Sequence, residues 1–232
     1  MGRGMGEVGE IVLMGDPRVA AVPVREVGEE LLDVRDCEML PVSGLRADEE
    51  GAFAHVRMDV LDRLVQADDA LPDGLRLLIV EGYRPPEVQA RYFARYRDGL
   101  RAAHPEWDAE RLRLMASRYV SPPEIAPHCA GAAVDLTLCT GDGVELDLGT
   151  PVNANPEESG GACYTGHPGV AAGPRRNRDI LAAALTGAGF VNYPTEWWHW
   201  SYGDRYWALM TRAPAARYGP YPSLPAPGQQ SG

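Results

Sequence analysis

Ala132-Ala133-Val134-Asp135-Leu136-Thr137-Leu138 alternates as a strand, and Gly141-Asp142-Gly143 turns the chain back into Val144–Leu148. Residues 132–148 therefore read as an antiparallel hairpin. Working outward, Leu75–Val80 is a short apolar run after the turn Pro72-Asp73-Gly74 and suits a buried strand, while Glu196–Ser201 reads as an aromatic strand. Helices fill the intervals. Phe53, Val56, Val60 and Leu64, with Leu61 and Val65, keep helical spacing and predict a helix over about 48–67. Pro85-Pro86 opens the next, with Val88, Tyr92 and Tyr96 along one face. Leu112, Met115 and Tyr119 suggest another before Pro122-Pro123, and Arg175–Leu185 is a further helix ended by Gly187 and Gly189. Residues 1–47 read as strands and turns around the run Ile11–Met14, residues 149–173 as a long loop, and the tail from Gly219 as irregular, its last ten or so residues being candidates for disorder. Helices followed by hairpin strands imply an α+β fold: one domain over residues 1–232, with a central antiparallel sheet flanked by helices.

Composition excludes several chemistries. The chain has 22 basic against 33 acidic residues, a net charge of −11, and every basic residue is arginine. Without lysine there is no Schiff-base lysine, no lysine-activated serine and no P-loop lysine. The acidic balance argues against a nucleic-acid partner, and Arg175, Arg176 and Arg178 read as a solvated helix face. No apolar run approaches the roughly 18 residues that span a bilayer. The opening MGRGMGEVGE lacks the basic and apolar regions of a signal peptide, and Cys37, Cys129, Cys139 and Cys163 form no CxxC pair. Reduced thiols and a cytoplasmic location are the expectation.

Three segments carry the chemistry: Glu81-Gly82-Tyr83-Arg84-Pro85, Pro127 to Leu136, and Thr195-Glu196-Trp197-Trp198-His199-Trp200. Asp135 sits mid-strand between Val134 and Leu136, and a buried carboxylate is costly unless a cation or donors satisfy it. Alone, Asp135 reads as an arginine's partner, His128 as a hydrogen-bonded structural histidine and Arg84 as a turn cap. Together, His128, Asp135 and His199 make a two-imidazole, one-carboxylate set that leaves a fourth zinc position open for water, whose pKa zinc lowers to roughly 7. Glu196 is the candidate general base, and its aromatic setting should raise its pKa. Residues three apart on a regular strand point to opposite faces, so Glu196 must lie just before the strand or at a bulge beside Pro194. Arg84, between a buried strand and a helix, is placed to stabilise a developing oxyanion.

Those segments, with Leu148-Gly149-Thr150-Pro151 and the run Trp200 to Leu209, resemble the zinc D-alanyl-D-alanine dipeptidases over roughly residues 50–220. The resemblance implies one zinc per chain on His128, Asp135 and His199, Glu196 as the catalytic base, Arg84 stabilising the transition state, and a small α+β domain. It also implies that Asp135 and Glu196 help to hold a substrate's free amine. Two positions depart from the pattern. Ala126 stands where the family often has serine, followed by Pro127, and Val152-Asn153 stand where Phe-Asp is common.

The resulting expectation is a zinc-dependent dipeptidase acting on D-Ala-D-Ala or a similar short peptide. A zinc amide hydrolase of a peptide natural-product intermediate, and a zinc-bearing binding domain without catalysis, remain as alternatives. Tyr83, Trp197 and Trp198, with Trp200, are expected to wall a small substrate cavity that rejects longer peptides, under a lid formed by residues 149–173. Partners reduce to a small peptide, with neither nucleic acid nor membrane.

Overall fold

The computed structural model describes residues 11–224; the expected disorder at the C-terminal end falls largely outside them. The strands are β1 (Leu31–Asp33), β2 (His55–Arg57), β3 (Leu75–Glu81), β4 (Ala133–Thr140), β5 (Val191–Asn192) and β6 (His199–Ser201). The helices are α1 (Pro17–Ala20), α2 (Met58–Asp69), α3 (Pro86–Ala103), α4 (Ala109–Ala116), α5 (Ala172–Gly187) and α6 (Arg205–Thr211). β1 pairs with β2, and a four-stranded antiparallel sheet runs β3-β4-β6-β5.

Alternation gives that sheet two different faces. Leu77 and Ile79 of β3 stand opposite Leu138 and Leu136 of β4, and Val134 stands opposite Trp200. These side chains share one core with Val60, Leu64 and Ala67 of α2 and Leu181, Ala184 and Leu185 of α5. The other face carries Asp135. The β3–β4 register slips between Ile79 and Glu81, so Glu81 rather than Val80 stands opposite Asp135. On its other side Asp135 faces His199. Three ionisable residues on neighbouring strands are thus brought into one row, directly opposite partners sharing a face. A second, smaller core joins α3 and α4 through Phe93, Leu100, Leu112 and Ala116.

Several elements differ from the sequence expectation. The helix expected from residue 48 begins at Met58; Ala52–Ala54 is a 3-10 turn and His55–Arg57 is strand. Long-range pairing overrides the local spacing there: β2 pairs with Leu31–Asp33, and the Phe53 and His55 carbonyls accept the Gly82 and Tyr83 N–H groups. The hairpin after β4 narrows to a single bridge, Cys139 to Glu145, because β6 takes the same edge of β4 at residues 133–135. Ile11–Met14 forms no strand, and Met14 is buried in a small cluster with Tyr193 and Tyr206.

Candidate active site

His128 lies in the 3-10 turn Pro127–Ala130, and its Nδ1 is 2.6 Å from the Gly82 carbonyl. A carbonyl only accepts, so Nδ1 carries a proton and Nε2 is the nitrogen left to face the other two residues. Gly82 also lets β2 pass close by, since a Cβ there would collide with the His55 carbonyl. The His128 Nε2 is 3.1 Å from His199 Nδ1 and 3.3 Å from Asp135 Oδ1, and the last two are 3.0 Å apart. All three residues are buried. Burial opposes ionisation of Asp135, but the two imidazoles outweigh it and hold the carboxyl well below its usual range. Burial lowers the His199 pKa despite Asp135, which favours the neutral imidazole.

Glu196 precedes β6 in a turn closed by Glu196 N–H to the Tyr193 carbonyl (2.9 Å), and the Asn192 side chain donates to the Glu196 carbonyl (3.0 Å). The strand expected over Glu196–Ser201 is shortened to His199–Ser201. That turn is the irregular approach the spacing demanded, and it brings a Glu196 oxygen within 3.9 Å of His199 Nδ1. Its pKa is raised well above 4.5, first by burial and then by the Asp135 charge, with Arg84 pulling the other way.

Arg84 is buried and fully oriented. Its Nε and Nη2 donate to the two oxygens of Glu81 at 2.7 Å, and its Nη1 donates to Gln89 Oε1 at 2.7 Å. Gln89 in turn donates to the Ser121 carbonyl. Burial opposes ionisation of Glu81, but Arg84 outweighs it and lowers the pKa. Glu81 and Gln89 were not singled out from the sequence. The available signal was a carboxylate ending a buried apolar strand three residues before an arginine.

Arg84, His128, Asp135, Glu196 and His199 line a cavity of about 510 Å³. The expected aromatic wall does not. Tyr83 is buried and donates to the Tyr221 carbonyl (3.0 Å), Trp197 donates to Thr150 Oγ1 (2.8 Å), and Trp198 packs edge-on against Trp197. Tyrosines instead line the cavity: Tyr92 and Tyr96 from α3, and Tyr119. From the 149–173 loop, Asn153, Asn155, Glu157 and Glu158 reach it. Arg178, far from solvated, is buried and anchors that loop by donating to the Leu148, Ala162 and Tyr164 carbonyls. Of the departing positions, Ala126, Pro127 and Asn153 border the cavity, and Val152 lies in the core.

A cavity wall that joins a buried His-Asp-His cluster, a carboxylate with no arginine partner among the described residues and an immobilised guanidinium defines a metallopeptidase-type hydrolase site. The family model described as D-ala-D-ala dipeptidase matches residues 44–215, and the chain belongs to this peptidase M15 family. It is 31% identical over 216 residues to a D-alanyl-D-alanine dipeptidase of Synechocystis, covering 81% of this chain and 87% of the relative. A second D-alanyl-D-alanine dipeptidase, from Escherichia coli, is 34% identical over 127 residues, 54% of each chain. The family's enzymes use zinc, the chain is a metallopeptidase, and the two alternative readings are not favoured. Among the described residues, no helix is long and apolar enough to cross a membrane.

Proposed function

We propose that this chain hydrolyses a free D,D-dipeptide of the D-Ala-D-Ala type in the cytoplasm, with one zinc held by His128, Asp135 and His199. The convergence of the three ligand atoms beside Glu196 carries this reading. Two ring nitrogens and a carboxylate oxygen facing one another in a buried corner suit a cation, and the N2O donor set leaving a position open suits catalytic zinc. When bound, zinc supplies Lewis acidity, making water acidic near neutral pH and polarising a carbonyl.

The remaining work falls to protein groups. Glu196, close to the three ligands and bonded to no arginine among the described residues, takes the attacking water's proton and delivers it to the departing amine nitrogen. Arg84 has five N–H donors, of which three are engaged; one on each of Nη1 and Nη2 remains for the carbonyl oxygen as charge develops. Relatives named D-alanyl-D-alanine dipeptidases support the substrate. Buried Cys129, Cys139 and Cys163, all unpaired, suit a reducing compartment.

The test is zinc content together with a dipeptide panel varied in chirality at each position. The expected result is one zinc per chain, lost in His199→Ala, and cleavage of D-Ala-D-Ala well above L-Ala-L-Ala and N-acetyl-D-Ala-D-Ala. Blocking the amine leaves buried acceptors unpaired at about 1–3 kcal/mol each. Equal rates on the free and N-acetylated dipeptides would sink the reading.

A further inference from the structure

The cavity is larger than the expected substrate requires. Pockets of roughly 300–1,000 Å³ enclose drug-sized ligands; this one, at about 510 Å³, falls among them, whereas dialanine carries only two methyl side chains. The surplus lies along α3. Tyr92, Tyr96, Gly99 and Ala103 line the cavity at intervals of four, three and four residues, which is one helix face. At 1.5 Å per residue that face is about 16 Å long, against about 7 Å for an extended dipeptide.

Gly99 is the informative residue. It is exposed where it borders the cavity, and an added Cβ there would meet no atom within 4 Å, so this stretch of the helix face has room for a ligand side chain. The wall beside it mixes the charged side chains of Arg95, Glu157 and Glu158 with aromatic and aliphatic surface, and the aromatic part is braced. Tyr96 and Tyr119 meet edge to face at 5.1 Å, and their hydroxyls are tied to Glu157 Oε2 and the Asn153 carbonyl. Leu100 and Val120 add aliphatic surface, and Tyr92 remains 38% exposed.

We propose that this chamber is a subsite for a bulky apolar side chain, so that the enzyme prefers a dipeptide carrying a large aromatic or branched aliphatic residue over dialanine. The proposal rests on the dipeptidase reading above and specifies its substrate class.

The test compares kcat/KM of the zinc-loaded wild type on D-Ala-D-Ala, D-Ala-D-Phe, D-Phe-D-Ala and D-Ala-D-Leu, and repeats it with Gly99→Phe and Gly99→Leu, whose folding is checked by thermal melting. At least one bulky substrate is expected to exceed dialanine by about tenfold or more, and the filled variants should reduce that ratio to about one. Dialanine as the best substrate, or a bulky preference surviving in both variants, overturns the subsite. If no D,D-dipeptide is cleaved, the dipeptidase reading fails separately. Calorimetric titration with D-Ala-D-Phe then decides the chamber: about tenfold weaker binding to Gly99→Phe supports it, and unchanged binding overturns it.

Discussion

At the end of β3, Glu81 is buried with both oxygens bonded to one guanidinium; in the turn before β6, Glu196 is equally buried, and its closest ion-pair contact is an imidazole 3.9 Å away. The two acids lie near the same aspartate and the same arginine, yet their pKa values move in opposite directions. The difference is pairing, since burial disfavours the charge on both. An acid that has spent its charge on a guanidinium positions that guanidinium, whereas one left unpaired stays available to accept and release a proton. Removing each acid should therefore break different things. Glu196→Ala should leave zinc content intact and lower turnover by about 10²–10⁴, the range for a lost general base. Stoichiometric zinc loss in that variant would make Glu196 a ligand and end the contrast.

Glu81→Ala should fail by another route. Deleting one partner of a buried ion pair leaves the other uncompensated, at about 3–5 kcal/mol, so denaturant unfolding should show a loss of that order. If stability were unchanged while turnover collapsed, Glu81 would itself belong to the proton-transfer chemistry.

This contrast was only half visible in the sequence. Asp135 announced itself because a carboxylate inside an alternating apolar strand needs a partner, and His128, His199, Glu196 and Arg84 lay in compact segments around it. Glu81 was hidden by the register: a regular strand would set Val80 opposite Asp135, and no local pattern signals the slip. The tryptophans misled for a different reason. Trp197 and Trp198 lie in a turn, where period-two alternation assigns no face, and they pack into the core. Tyr92 and Tyr96 could be placed on one face of α3 from spacing alone, but what that face met depended on Tyr119 and on the loop Arg178 anchors.

Arg84 tests the positioning side of the comparison. Arg84→Ala should lower turnover by about 10²–10³, the cost of one lost oxyanion donor, with zinc retained. Arg84→Lys should recover little, because an ammonium cannot hold the Glu81 fork and also present donors on the cavity side. Full activity in the lysine variant would mean that charge alone suffices and that the Glu81–Gln89 cradle is incidental.

The smallest effect is also the sharpest, because it asks the two acids for opposite signs. In metal-stripped protein, Glu196→Gln should raise stability at neutral pH, whereas loss of the Glu81 charge lowers it. The Glu196 pKa in the folded chain is raised above 4.5, through burial first and Asp135 second, so the folded state holds that proton more tightly than the unfolded state. The stability this contributes is complete below pH 4.5 and is lost as pH climbs towards the folded value. Glu81, with its pKa lowered, contributes stability that is present above 4.5 and is lost as pH falls through its folded value. Wild type and Glu196→Gln should therefore unfold alike near pH 4 and diverge as pH rises, with the variant ahead by about 1–3 kcal/mol at pH 8. Urea unfolding of both proteins across that range measures the gap directly. A gap that stays flat with pH, or that favours wild type at pH 8, would show Glu196 to be as well paired as Glu81 and remove the physical reason for assigning it the base.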